Sequence, residues 1–156
     1  AIAVSLENFL GDKAEVFASD ISTKALDVAK NNNEKNNTNV RFIESNLFEN
    51  IQEQKFNIIV SNPPYIRSNV INNLPKQVQN EPHLALDGGE DGLKFYKKII
   101  EQACGYIENG YLILEIGYDQ KEDVENLLKE NKNYSEIKTI QDLSGNDRCV
   151  VAKVCI

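Results

Sequence analysis

The sequence predicts an α/β protein built on a mainly parallel sheet. Three observations carry this expectation. Short apolar, β-branched runs such as Phe56-Asn57-Ile58-Ile59-Val60 and Tyr111-Leu112-Ile113-Leu114 read as buried strands. Stretches with apolar residues at helical spacing separate them, as in Leu93, Tyr96, Ile99, Ile100 and Ala103. The order is helix, strand, helix, strand, strand, long loop, helix, strand, helix, strand, strand, and alternation of this kind favours parallel pairing.

Each element follows from local signals. Ala1-Ile2-Ala3-Val4-Ser5-Leu6 is apolar from its first residue, with no N-cap and no initiator Met, and reads as the body of a helix that ends near Gly11. A start in mid-pattern suggests a truncated chain. Glu15 to Asp20 reads as a strand that ends in an acid. Asp20 has two readings. It is an acceptor for the two hydroxyls of a ribose, placed where α/β sheets bind nucleotides, or it opens the next helix together with Ser22. That helix runs from Thr23 to Asn32, with Ala25, Leu26, Val28 and Ala29 as its apolar stripe, and the polar run Asn31 to Asn39 ends it. Val40 to Glu44 is the next strand. Leu47 and Phe48 beyond it either line a flat ligand or start a short core-packed helix.

The strand Phe56 to Val60 runs into Ser61-Asn62-Pro63-Pro64-Tyr65. Two prolines cannot continue a ladder, so the chain leaves the carboxyl end of a strand in a stiff, extended turn. Ligands bind at that end of open α/β sheets. An amide nitrogen is a poor nucleophile because its lone pair is delocalised. A site that alkylates one must hold its N–H groups on acceptors and aim the nitrogen at the electrophile. The Asn62 side-chain oxygen and the Pro63 carbonyl are such acceptors, and Tyr65 offers an aromatic face that favours an approaching cation. No strong base stands in the motif, so catalysis there rests on positioning and electrostatics.

A long segment follows, to about Asp91. It holds Pro75 and Pro82, has a short helix expected near Val70 to Leu74, and can fold over the turn. Glu81 within it is either a surface acid before proline or an acceptor tying this flap to the site. His83, the single histidine, reads as structural or exposed, and Gly88, Gly89 and Gly92 read as positive-φ turn residues. Gly92 to Ile107 is expected as a helix ended by Asn109-Gly110. Tyr111 to Gly117 is expected as a fully buried strand carrying Glu115, a structural acid near the ligand crevice. Gln120 to Asn131 reads as an amphipathic helix. Tyr134 to Ile140 and Arg148 to Val154 read as the last strands, with a turn over Asp142 to Arg148 between them.

Composition narrows the function classes. The 156 residues are 41% hydrophobic, enough for the core of one domain, and carry a net charge of −7. That balance argues against a free-standing nucleic-acid binder, which needs a basic footprint. No apolar run is long enough to span a membrane. Cys104, Cys149 and Cys155 lack metal-ligand spacing, so no metal is expected; they read as small core residues of a reduced, cytoplasmic protein.

The Asn-Pro-Pro-Tyr motif after an apolar strand resembles that of S-adenosylmethionine-dependent methyltransferases acting on planar amide or exocyclic amino nitrogens. The stretch Glu81-Pro82-His83-Leu84-Ala85-Leu86-Asp87-Gly88-Gly89-Glu90-Asp91-Gly92-Leu93 sharpens the likeness to the HemK/PrmC family, as does Asp142-Leu143-Ser144-Gly145-Asn146-Asp147-Arg148. Those enzymes methylate the glutamine of the Gly-Gly-Gln motif in peptide chain release factors. The resemblance implies a Rossmann-like class I methyltransferase sheet whose last strand is antiparallel. It implies S-adenosylmethionine as cofactor and S-adenosylhomocysteine as product, with Asp20, Ile21, Asn46, Leu47 and Asn62 at the cofactor. Asn62, Pro63, Pro64, Tyr65 and Glu81 would stand at the substrate, with Asn62, Pro63 and Tyr65 carrying the reaction. The family usually has Asp where Asn46 stands; Asn46 still accepts through its carbonyl oxygen.

The family's first strand, its Gly-rich loop and its N-terminal substrate-binding domain have no counterpart in this chain, which is expected to be one partial catalytic domain over 1–156. The absent strand would be central, and a central gap would bury unpaired backbone groups. Either another fragment fills it, the sheet closes up, or the first helix is displaced. Two alternatives differ in class: a nucleic-acid adenine or guanine methyltransferase, and a non-catalytic fragment that cannot bind the cofactor.

Overall fold

The computed structural model describes residues 1–155. They form two compact units, one over Ala1–Glu53 and one beginning at Gln54.

In the first unit, α1 (Ile2–Leu10) precedes β1 (Phe17–Asp20), α2 (Thr23–Lys35) and β2 (Arg41–Glu44). Strands β1 and β2 pair in parallel, Phe17 opposite Arg41 and Asp20 opposite Glu44. The Ser22 hydroxyl caps α2 by accepting from Ala25 N at 3.2 Å, which satisfies one of the free N–H groups of the first turn. Helix α2 runs past Asn32 to Lys35, so the polar run after Asn31 is partly helical. Leu26 alone of its expected stripe is buried, and Val28 is exposed.

The second unit holds β3 (Phe56–Ser61), α3 (Lys76–Gln79), α4 (His83–Leu86), α5 (Lys94–Ala103), β4 (Ile107–Glu115), α6 (Lys121–Glu130), β5 (Tyr134–Gln141) and β6 (Asp147–Val154). Its sheet has the order β3-β4-β6-β5. The β3–β4 pair is parallel, and β6 is antiparallel to both β4 and β5. The expected antiparallel last strand is therefore present. The six strands form two sheets, β1-β2 in the first unit and β3-β4-β6-β5 in the second.

One face of the four-stranded sheet is the core. Leu112, Leu114, Val150, Ala152 and Val154 are buried there, and α6, carrying buried Val124 and Leu128, packs on β5 and β6. Helix α5 packs on α6 and buries Tyr96, Ile99, Ile100 and Ala103, as the spacing predicts. The other face is more open. Ile58 and Val60 of β3 and Tyr111 of β4 are exposed. The expectation that β3 and β4 are fully buried is corrected accordingly: Ile58, Val60 and Tyr111 share the sheet face opposite the core.

Helix α5 stops at Ala103, not Ile107, and β4 starts at Ile107, so Asn109-Gly110 lies inside a strand. The reason is tertiary. The β3–β4 register shifts between Phe56 and Ile58, and the Asn57 backbone lies so close to Gly110 that any Cβ there would overlap it. Cys104 and Cys149 are partly buried, but Cys155 is exposed, against the expectation that all three are core residues.

The packing sets a stability contrast. Ile99 is 1% exposed and Phe9 on α1 is 89% exposed. Ile99→Ala should cost about 2–5 kcal/mol in denaturant unfolding, from lost burial plus a cavity. Phe9→Ala should stay within about 0.5 kcal/mol. Equal effects would contradict this assignment of the core.

Candidate active site

The carboxyl ends of the parallel strands carry the predicted residues in each unit. In the first unit, Asp20 ends β1, and Ser45-Asn46-Leu47 follows β2 directly. Ser45 N donates to the Asp20 carbonyl at 3.0 Å, which aligns the two strand ends. The helix-opening reading of Asp20, together with Ser22 as the cap, is seen in the structure. One carboxylate oxygen accepts from Ser22 N at 2.8 Å beside the helix cap, and that bond leaves the second oxygen for another donor. Asn46 donates its amide N–H to Glu49 at 2.7 Å, which turns its carbonyl oxygen outward from that bond. Ile21 is half exposed.

Leu47 is neither in a helix nor at a strand end. It sits in a turn at φ 53°, and the buried Ser45 hydroxyl donates to its carbonyl at 2.9 Å while accepting from Asn50 N at 3.0 Å. Of the two readings for Leu47 and Phe48, the core-packed helix is thereby excluded. Paired acceptors at adjacent strand ends suit the hydroxyl and amino donors of a nucleoside, so the residues present fit that part of the implied cofactor.

In the second unit, Asn62 emerges exposed at the end of β3, and Pro63 behind it is buried. Among the described residues no hydrogen bond engages the Asn62 side chain or the Pro63 carbonyl, so both acceptors are open to a ligand. Tyr65 is half-buried. Burial first, and then the Glu115 carboxylate, raise its pKa above the ordinary phenol value, against the Arg148 guanidinium that hydrogen-bonds it; Glu81 adds a further upward push. Tyr65 is thus a neutral phenol at physiological pH, suited to packing and hydrogen bonding and not to proton abstraction. Glu81 is exposed, and its charge is a minor upward influence on the Tyr65 phenol.

The flap itself is more ordered than its composition suggests. Pro75 and Pro82, with φ of −54° and −56°, each start a one-turn helix, α3 and α4, since proline pre-sets such a φ. The helix expected near Val70 to Leu74 is a 3-10 segment over Ser68–Asn73. The flap then returns to the motif. Ile66 N donates to Leu86 O at 3.0 Å, Gly88 N to Ile66 O at 2.8 Å and Ser68 N to Gly89 O at 3.0 Å. Asp87 accepts from the Ser68 hydroxyl at 2.6 Å and from Gly89 N at 3.0 Å, and these bonds hold its carboxyl below the usual range. Gly89 and Gly92 take positive φ as expected, but Gly88 does not. Its need is close approach: a Cβ there would stand 2.7 Å from Tyr65 Cα and 2.8 Å from Tyr65 C.

Two site residues escaped the sequence reading. Arg148 was read only as the end of a turn signature. Its guanidinium is held by Asp142 through Nη2 at 3.1 Å and Nε at 3.3 Å, and it donates to the Ile116 carbonyl at 3.3 Å. Asp142 is itself held below the carboxylate range, first by the Asn146 N–H. Gln120 was read only as a helix start, yet it is 2% exposed and contacts the motif. A glutamine directly before an amphipathic helix gives no sequence signal of burial.

The raised Tyr65 pKa has a consequence for stability. A group whose folded pKa exceeds its unfolded value of about 10 contributes stability fully present below that pH, which is lost as pH rises through the folded value. Tyr96 and Tyr134, raised mainly by burial, act in the same direction. The urea midpoint should therefore fall above about pH 10, and Tyr65→Phe should make that fall shallower. An unchanged alkaline slope in the variant would show that Tyr65 does not carry the shift.

Comparison with known proteins identifies the family and the fold. The methyltransferase small domain family matches residues 1–90. A release factor glutamine methyltransferase of Fusobacterium nucleatum is 42% identical over 160 residues, covering 100% of this chain and 45% of that protein. A protein of the same name from Moorella thermoacetica is 39% identical, covering 97% of the chain and 54% of its own length. The chain thus spans about half the length of these relatives. A solved methyltransferase of Pyrococcus furiosus shares the fold, with a TM-score of 0.74 at 23% identity over 99% of this chain and 69% of that one. The fold is that of class I methyltransferases, and with the family matching more than half of its length, including the Asn-Pro-Pro-Tyr turn, the chain belongs to the methyltransferase small domain family.

Proposed function

We propose that this chain is the catalytic part of a protein that methylates the side-chain amide nitrogen of the glutamine in the Gly-Gly-Gln motif of peptide chain release factors. The observation that carries the reading is the turn after β3, where Asn62 and the Pro63 carbonyl offer two unengaged acceptors beside a neutral, half-buried Tyr65. The names of the relatives support it, since both are release factor glutamine methyltransferases.

The chemistry follows from the residues. When bound, S-adenosylmethionine supplies the methyl group and leaves as S-adenosylhomocysteine. The first unit supplies the nucleoside acceptors: Asp20 for the ribose hydroxyls and Asn46 for the adenine amino group, with Ile21 and Leu47 as apolar neighbours. The second unit supplies the amide acceptors. Asn62 Oδ1 and the Pro63 carbonyl take the glutamine N–H groups, which orients the nitrogen lone pair and favours the amide form that can be alkylated. Tyr65 packs against the flat amide with Pro64, and its electron-rich face suits a nearby cation. Glu81 on the flap binds the substrate backbone. A strong base would not be required: the alkylated nitrogen is far more acidic than the amide it came from and would release its proton to water, while positioning and preorganised acceptors lower the barrier. The reaction belongs to the cytoplasm, where release factors act, and 1–156 works as one catalytic domain of the longer enzyme.

The test is transfer of labelled methyl to a purified release factor by the complete protein that carries this chain. Wild type should label the Gly-Gly-Gln peptide and leave a Gly-Gly-Asn variant of the factor unlabelled. Asn62→Ala should lower kcat by about 10²-fold or more, the loss typical when a positioning group is removed. Asp20→Ala should act mainly by weakening S-adenosylmethionine binding in calorimetry. Labelling of RNA or DNA in place of the release factor would overturn the substrate assignment, and no binding of the cofactor by a folded protein would overturn the enzymatic one.

A further inference from the structure

A buried glutamine joins the motif turn to three other segments. Gln120 stands at the start of α6 and is 2% exposed. Its amide nitrogen donates to the Tyr65 carbonyl at 3.1 Å and to the Gly92 carbonyl at 3.3 Å. Its amide oxygen accepts from Gly117 N at 3.0 Å, and the Tyr96 hydroxyl approaches it at 3.5 Å while donating to the Glu115 carbonyl at 2.8 Å. Two carbonyls on one side and an N–H on the other fix which end of the amide is nitrogen.

The three partners belong to different parts of the fold. Tyr65 closes the Asn-Pro-Pro-Tyr turn, Gly92 lies where the flap enters α5, and Gly117 follows β4. Gly92 takes φ 76°, and a Cβ there would stand 2.6 Å from the Tyr65 carbonyl oxygen and 2.7 Å from Gln120 Nε2. The three segments therefore converge on one amide with no room for a bulkier link. Asn62 and Pro63 lie three and two residues before Tyr65, so the placement of their acceptors depends on where the Tyr65 backbone is held.

We propose that Gln120 is a positioning residue: through its bonds to Tyr65 and Gly92 it sets the register between the substrate-holding turn and the flap. The role in catalysis rests on the function proposed above, but the positioning itself can be tested without activity. Gln120→Met keeps the length and removes both donors. Gln120→Glu keeps the shape and puts an acceptor against two carbonyls, except when the carboxyl is protonated and regains one donor.

The experiment is peptide-resolved amide exchange on both variants and wild type, together with kcat and the dependence on S-adenosylmethionine. Gln120→Met should speed exchange by about tenfold in peptides over 63–68 and 86–94. Peptides of β5, β6 and the first unit should stay unchanged. It should lower kcat by about 10²-fold with the S-adenosylmethionine dependence unaltered. In Gln120→Glu both defects, taken relative to wild type at each pH, should shrink as pH falls. Exchange that rises equally everywhere, or that stays at wild-type values in the two segments, would overturn the proposal. So would a Gln120→Glu defect that does not depend on pH. Localised exchange in a protein whose wild type transfers no methyl to release factors would overturn the function and leave the positioning intact.

Discussion

Burying an amide is costly unless its donors and acceptor are matched, and the matching of Gln120 ties together the functional end of the second unit. Its nitrogen is committed to two carbonyls and its oxygen to one N–H. Each partner is a backbone group of a segment with no ladder of its own at that point. A side chain thus does for the turn, the flap and the end of β4 what ladder hydrogen bonds do inside the sheet. Tyr96 extends the arrangement into α5 through the Glu115 carbonyl, so the apolar packing of that helix and the polar order of the site are one construction.

The electrostatics of the site follow from the same convergence. Glu115 ends β4 beside the point where β3 releases Asn62, because Ser61 pairs with Leu114 in the parallel register. Arg148 arrives from β6, antiparallel to β4, with Cys149 opposite Glu115. A carboxylate and a guanidinium therefore flank Tyr65, and burial keeps the phenol protonated. The turn of Asp142 to Arg148 closes on itself through the Asp142 carboxylate, which takes the Ser144, Asn146 and Arg148 donors. That ring is what aims Arg148 at the site. The first unit builds its own strand-end pair differently, with Ser45 bracing the turn that carries Asn46.

Much was legible in the residues. Apolar runs and helical spacing located most strands and helices, two prolines after an apolar strand marked the turn, and an acid marked the end of β1. The HemK/PrmC likeness seen in the motifs agrees with the names of the relatives. What failed had tertiary causes. The register shift at Asn57 and the contact with Gly110 moved the start of β4 back to Ile107. Ile58 and Val60 lie with Tyr111 on the open face of the sheet, which a run of β-branched residues cannot reveal. Beyond the short helix expected near Val70 to Leu74, the flap gave no helical signal because α3 and α4 are single turns, too short for a periodic pattern.

The sequence by itself determined the α/β class, the order of elements and the identity of the Asn62 to Tyr65 turn, because these depend on local periodicity, on proline and on chemistry carried by adjacent residues. The tertiary structure alone decided the division into two sheets, the close approach that requires Gly88 at Tyr65, and the roles of Arg148 and Gln120. Those depend on groups separated by tens of residues that meet only when the chain is folded, and nothing in the local composition of a lone glutamine or arginine announces which backbone it will hold.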